Sequence, residues 1–462
     1  MAEKYVTDFT SGSVPKKMAF FAIPLFVSNL FQAVYNMVDM IIVGQCVGKA
    51  GLSAVSVGGD ILNLLTFFAM GFSNAGQVII AQHLGAGKKD KIGQIIVNLT
   101  IFLFSGAVIL GSFTFFNRGN LLRLMNTPPE AWDHAFSYVT VCTLGLLFVY
   151  GYNVVSAILR GMGDSRHPFI FIATAAVINL VLDMIFIAKF DMGAFGAALA
   201  TVIGQGVSFL CGISFLLFNQ KKLGIVINRK YIKLNKDILR NLLTLGCPMA
   251  IKSAAVMFSK LFVNSWINSY GVIASSATAI YSKINVISNL FSNAINMSAS
   301  SMIAQNIGAE RYDRVPKVLR TAMSITLSVA VVLMLTVLTI PRIIFRMFTP
   351  DTEVIEAAML LIPMLCALFF GSACRAPSNG LIDGSGNYKL NFLVAILDGI
   401  VNRIGFSVLF GLVLPLGWSG FLWGDVIAGF TPFVIGMIYY RTGRWKRNYV
   451  GHNKAANTHK PA

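Results

Sequence analysis

The sequence predicts an all-α integral membrane protein. Twelve transmembrane helices form two pseudo-twofold-related six-helix bundles, arranged as parallel repeats. Three observations predict this. Charge is scarce: 12% of the 462 residues are Asp, Glu, Lys or Arg and 56% are hydrophobic, whereas a soluble domain carries about 25% charged residues. Apolar runs of about 20 residues, the length that crosses a bilayer as a helix, recur along the whole chain. The second half of the chain also repeats the first at a nearly constant offset.

The runs follow in order. The first, 18–44, is too long and too polar-flanked for a cleaved signal peptide and is expected to stay as a helix. Runs at 53–81, 94–117, 134–158, 167–188 and 193–218 complete a first set of six. A second set occupies 241–269, 274–304, 317–340, 354–378, 390–413 and 418–440. No stretch is left for a soluble catalytic domain.

The repeat is carried by short motifs. "AQHLGAGKKDKIGQII" from Ala81 returns as "AQNIGAERYDRVPKVL" from Ala304, an offset of 223 with five identities in sixteen. At the same offset "RGMGDSRHPF" (160–169) matches "DGSGNYKLNF" (383–392), Gly48 matches Gly271, and Asn179 matches Asn402. Gly196 with Gly420, and Pro24 with Pro248, pair at 224. The expected lobes are 1–220 and 241–440, joined by a basic cytoplasmic linker at 221–240 and followed by a basic cytoplasmic tail at 441–462. Six spans per lobe give both lobes one orientation. Parallel repeats of this kind are a transporter architecture, with the substrate site between lobes and alternating access by rocking. The glycine-rich corners "HLGAGK", "RGMGD" and "DGSGN" suit tight turns that need positive φ.

The formal net charge of +18 raises the question of nucleic acid, but its distribution answers it. Of the 37 Lys and Arg, 27 fall on the side that carries both termini, against six on the other: Lys49, Arg118, Arg123, Lys189, Arg342 and Arg346. This excess sets both termini in the cytoplasm of a multi-pass inner-membrane protein. The basic loop "KKLGIVINRKYIKLNKDILRN" also suits anionic headgroups, so the expected partners are membrane lipids and small molecules, not nucleic acid. The cysteines, at 46, 142, 211, 247, 366 and 374, form no CxxC pair and lie in or near apolar runs. They read as small hydrophobes, with no disulfide or metal.

Taken together, the first span "IPLFVSNLFQAVYNMVDMIIVG", the echoed turn "AQHLGAG", "ILRGMGD", "INLVLDMIFI" and "GAFGAALATVIGQ" resemble the multidrug and toxic compound extrusion (MATE) family, part of a wider superfamily of flippase-like exporters. The resemblance spans nearly the whole chain. It implies twelve spans in two lobes, acting as a monomer, and export of organic, often cationic, molecules in exchange for protons or sodium ions, with no cofactor.

Charges inside spans are costly, about 2.5–3.5 kcal/mol each at a span centre, and so are functional candidates. The acids are Asp39, Asp60, Asp183, Asp398 and Asp425; the bases are Lys252, Lys260, Lys283 and Arg403. Helical spacing places Gln32, Tyr35 and Asp39 on one face of the first span, and Asn179 and Asp183 on one face of the fifth. With Thr201 of the sixth, they offer an oxygen-rich cluster. Hard cations such as sodium take oxygen ligands. Protons suit the same site, because two carboxylates in a low-dielectric pocket cannot both stay ionised cheaply. The resemblance implies that Asp39, Asn179, Asp183 and Thr201 are the cation-coupling site, for H+ or Na+. The repeat supports asymmetry: Asp183 maps to Phe406, and Asp39 to Phe262 or Val263. An ion site needs only one lobe.

The C-terminal lobe instead offers Lys252, Lys260, Lys283, Asp398, Arg403 and Asp425, for which ion pairing and function are both open. Relatives that bind cations there use acids of the seventh and tenth spans; here the seventh carries Lys252 and Lys260 instead. Gln32, Tyr35 and Asn153 are candidates for lining a substrate cavity. Pro24, fifteen residues before Asp39, is a candidate kink that couples ion binding to bending.

Enzymatic activity is not expected, and no residue is assigned a catalytic role. "GQCVGK" (44–49) is one residue short of a P-loop, and "GMGDSR" lacks the third glycine of a dinucleotide fingerprint. The histidines, at 83, 134, 167, 452 and 459, are placed in loops or the tail. The alternative is a flippase for a lipid-linked saccharide or another amphipathic metabolite, whose phosphate the C-lobe bases would hold.

Overall fold

In the computed structural model, which describes residues 5–414 and 416–446, each predicted run coincides with a helical segment, 241–269 and 317–340 overrunning theirs by one residue. The segments are α1 Val14–Cys46, α2 Gly48–Gly85, α3 Lys89–Leu124, α4 Trp132–Leu144 with Leu146–Gly161, α5 Arg166–Lys189 and α6 Gly193–Phe218. The second six are α7 Lys236–Asn268, α8 Val272–Gly308, α9 Val315–Thr339, α10 Thr352–Met359 with Ile362–Gly384, α11 Tyr388–Val413 and α12 Gly417–Arg441. Helices α4 and α10 are bent, by 48° and 52°. Several helices outrun their apolar stretch. The 36 residues of α3 reach about 54 Å at 1.5 Å each, against about 30 Å of hydrocarbon, so its charged ends stand outside the apolar layer.

Helix α8 is long enough to span but carries a buried polar stretch. Its Ser298, Ser300, Ser301, Gln305 and Asn306 are all buried. The backbone takes up part of this polarity: Ser298 Oγ donates to the Ala294 carbonyl at 2.7 Å and Asn306 Nδ2 to the Met302 carbonyl at 2.7 Å. The outer faces of the helices are apolar instead. Phe116 is 81% exposed and Phe218 87% exposed, which suits lipid rather than water as the surrounding solvent.

The chain divides into two compact units, one built around Ile23–Gly246 and the other from Phe9–Ala22 together with the chain from Cys247. The division falls inside α1 and inside α7, each time two residues before a repeat-paired proline, Pro24 and Pro248. In the first unit, α2, α4 and α6 pack through small and branched side chains such as Ala54, Val55, Ala135, Val139, Ala194 and Ala198. Residues that follow α6 belong to this unit: the Asn235 N–H donates to Asn98 Oδ1 at 2.8 Å. In the second unit, α8, α10 and α12 enclose Tyr281, Leu365, Phe369 and Phe421. Phe9 is buried there, its carbonyl accepting from Asn306 Nδ2 at 3.2 Å, and Arg314 Nη2 donates to the Ser11 and Gly12 carbonyls, each at 2.9 Å.

The repeated motifs do the same work in each unit. Gly87, Gly163 and Gly386 take positive φ at their corners. Asp164 and its repeat partner Asn387 cap the next helix: Asp164 Oδ1 accepts from the N–H of Arg166 at 3.0 Å, and Asn387 Oδ1 from that of Leu390 at 3.2 Å. Gly161 and Gly384 let α4 and α10 touch a neighbouring backbone. A Cβ at Gly161 would stand 2.8 Å from the Gln77 carbonyl oxygen, and one at Gly384 would stand 2.6 Å from that of Ser300. Gln77 and Ser300 are themselves 223 apart. Gly161→Ala and Gly384→Ala should each therefore destabilise by about 1–3 kcal/mol, read as a lower unfolding midpoint in detergent. Unchanged midpoints would mean that the helices separate freely.

Some placements differ from the sequence reading. His83, His134 and His167 lie in terminal turns of α2, α4 and α5, not in loops, because the helices continue past their apolar cores. Arg160 and Asp383, read as belonging to cytoplasmic turns, lie within α4 and α10. Arg160 is buried and its Nε donates to Gln77 Oε1 at 2.8 Å. Most of the basic tail, with His452 and His459, lies outside the described residues.

Candidate functional site

Helices α1, α5 and α6 bring four predicted residues together in the first unit. Asp183 ends the regular part of α5 and is fully buried; the next six residues, Met184–Lys189, wind as a wider π-helical turn. Such turns recur at functional sites. Asp39 of α1 is buried too, and its carboxyl group meets that of Asp183. Asn179, one turn before Asp183, bridges α5 to α6. Turned so that each half of its amide meets a complement, its nitrogen donates to Asp183 Oδ2 at 3.2 Å and its oxygen accepts from the Thr201 N–H at 3.2 Å. In the opposite orientation Nδ2 donates to Thr201 Oγ1 at 3.4 Å.

Two oxygens are left over. Asp39 Oδ1 and Asp183 Oδ1 are buried with no hydrogen-bond partner. Two adjoining carboxyls with unsatisfied oxygens are not stable as a pair of bare anions. A shared proton relieves them, and so does a hard cation held by these oxygens with Asn179 and Thr201. The arrangement can therefore take up and release one positive charge.

Tyr35 lies beside Asp39, its hydroxyl between the side chains of Gln32 and Gln205. Gln32 itself is exposed. Asn153 stays apart, its Nδ2 donating to the Val149 carbonyl of its own helix at 2.8 Å. Two neighbours were missed from sequence. Gln205 follows Thr201 by one helical turn, a spacing that was legible. Tyr138 of α4 adjoins Asp39 and Tyr35, and no sequence pattern tied α4 to that place.

The second unit assembles its charges differently. Arg403 is fully buried; its Nη2 lies 2.9 Å from Asp398 Oδ1, and its Nη1 pairs with Asp425 Oδ1. Asp425 occupies the repeat position of Thr201. Asn402, the partner of Asn179, donates to Thr431 Oγ1 at 2.8 Å. Lys252 pairs with Asp383 at 3.0 Å, and Lys283 is exposed. Lys260 lies near Arg403 and Asp425, as does Arg375 of α10, which falls in the run 354–378 but was not among the intramembrane bases named from sequence. In α11, Leu397–Val401 and Leu409–Val413 wind as π-helical turns, the second at the repeat position of that in α5. Asp60 is half-buried, apart from both clusters.

Comparison with known proteins adds independent findings. The profile of the MatE family matches twice, over residues 24–185 and 248–409, once per repeat. A protein of Bacillus subtilis (strain 168), "Probable multidrug resistance protein YpnP", is 29% identical over 448 residues, covering 95% of this chain and 97% of that protein. "Multidrug export protein MepA" of Staphylococcus aureus (strain N315) is 24% identical over 443 residues, covering 93% and 94%. Among solved structures, an outward-facing multidrug resistance MATE family transporter of the MOP superfamily superposes with a TM-score of 0.88 at 21% identity, over 96% of this chain and 98% of that one. A MOP superfamily transporter from Pyrococcus furiosus, described as having a binding pocket of reverse polarity, gives 0.88 at 21% identity over 97% and 100%. At such identities the superpositions speak for the fold.

Proposed function

Because the chain belongs to the MatE family, we propose that it is a secondary active multidrug exporter, antiporting organic, often cationic, compounds against protons, sodium ions or both. The observation that carries this reading is the buried Asp39–Asp183 pair with its two unpartnered oxygens. Curated relatives named for multidrug resistance and export support the substrate class.

In this reading the pair is loaded by a cation from outside, drawn by the membrane potential, and emptied toward the cytoplasm. The lobes 1–220 and 241–440 rock about the linker 221–240 to give alternating access. Pro24 and Pro248 are the places where α1 and α7 bend, since proline removes one backbone hydrogen bond from a helix. Gln32, Tyr35 and Asn153 face the transported molecule, with Tyr35 linking it to Asp39. Both termini lie in the cytoplasm of the inner membrane, and a single chain is the working unit.

Reconstituted protein tests the choice of ion. With an organic cation as cargo, a proton gradient alone or a sodium gradient alone should drive transport above the level of empty vesicles. Transport that responds to neither gradient, or that requires nucleotide hydrolysis, would end the antiport reading.

A further inference from the structure

The charges of the second unit do not balance. Asp398 and Asp425 both pair with Arg403. Lys260 and Arg375 also lie close to Asp425, yet among the described residues neither makes a salt bridge to a carboxylate. Three bases thus face two acids inside the spans, leaving one net positive charge where each charge costs about 2.5–3.5 kcal/mol.

A cavity adjoins the excess charge. It measures about 30 Å³, room for about two water molecules. Lys260, Arg375 and Arg403 line it, with Asn285, Asn289 and Ser372, while Asp425 closes one side. Its neutral groups also offer hydrogens. Asn289 Nδ2 donates to Asn285 Oδ1 at 3.0 Å, which occupies the acceptor of Asn285 and leaves its amide hydrogens to point elsewhere. A small space lined by two cations that make no salt bridge among the described residues, by Arg403 and by the amide hydrogens of Asn285 favours an anion. Its size fits a chloride ion or the head of a carboxylate.

We propose that this cavity binds one monovalent anion, either chloride or the carboxylate of a transported compound. The repeat explains why it has no twin. At offsets of 223 and 224, Arg375 and Arg403 map to Tyr152 and Leu180, and Asp425 to Thr201. The duplicated scaffold carries its carboxylate pair in one unit and its surplus bases in the other.

Binding is measured on the purified full chain in detergent, where no gradient acts. Sodium chloride or sodium acetate replaces sodium isethionate, a bulkier sulfonate, at constant sodium. Either anion should raise the unfolding midpoint saturably. Lys260→Gln with Arg375→Gln should weaken the half-saturation about tenfold or more, the loss expected when charged hydrogen-bond donors are removed. If that double variant does not fold, Arg375→Gln alone should show the weakening. Asp183→Asn should respond as the unaltered chain does, so this result is separate from the coupling site. A response to chloride alone marks a free halide site. Acetate that competes with chloride marks a carboxylate subsite. Chloride and acetate acting no differently from isethionate, or equally on the Gln variants, would overturn the proposal.

Discussion

Asp183→Asn, in reconstituted vesicles, should reduce ion-driven accumulation of an organic cation to the passive leak. A charge moved through about 100 mV supplies about 2.3 kcal/mol, equivalent to about a 50-fold concentration ratio. That ratio is the expected loss for each cation no longer carried. The substitution keeps size and shape and still leaves a side-chain oxygen for Asn179, so the fold should survive. Removing a buried acid with an unpartnered oxygen should leave the unfolding midpoint unchanged or raised. Asp39→Asn should act in the same direction, and the double variant should be no worse than either single, because both remove one shared switch. Accumulation that persists in Asp183→Asn at the level of the unaltered chain would sink the coupling assignment. The unfolding midpoint guards against a trivial explanation: a variant that is inactive because it is misfolded would show a lower one.

The span count, the repeat and the carboxylate cluster were legible for separate physical reasons. A bilayer demands about 20 apolar residues per crossing, and this requirement is written locally in the chain. The repeat is legible because turn glycines and capping residues are chemically constrained. Asp164 and Asn387 differ in identity but both accept helix N–H groups. The Asp39–Asp183 pair stood out because ionisable residues in apolar runs are rare. What escaped were positions whose meaning comes only from packing. Asp383 looked like part of a turn, because the polar segment "RAPSNGLIDG" hides the continuation of α10 to Gly384. The polar face of α8 is buried for the same reason: hydropathy averages over a helix, while burial depends on which side its neighbours cover. Tyr138 is joined to the cluster by the fold alone.

Arg403→Met should be the most destabilising substitution in the second unit. The side chain is fully buried between two carboxylates on α11 and α12, with Asp398 Oδ1 at 2.9 Å and Asp425 Oδ1 in direct contact. Its Nε also reaches the Asp398 carbonyl at 3.3 Å. Desolvation opposes such a network even when it is intact, but breaking it is worse. Removing one partner leaves a buried charge uncompensated and typically costs about 3–5 kcal/mol, and here two carboxylates lose their counter-ion at once. By contrast, deleting Arg342, whose 3.0 Å pair with Glu356 is exposed, should cost about 0–1 kcal/mol. Unfolding in detergent, with the yield of monodisperse protein, measures both. The decisive comparison is the triple variant Arg403→Met, Asp398→Asn, Asp425→Asn. If the penalty comes from stranded charge, neutralising both acids should restore most of the midpoint despite three substitutions. If it comes from lost packing of a large side chain, the triple variant should be as unstable as the single. Restoration would place the role of Arg403 in holding α11 to α12 through charge, and would leave the nearby Lys260 and Arg375 as the bases available to a ligand.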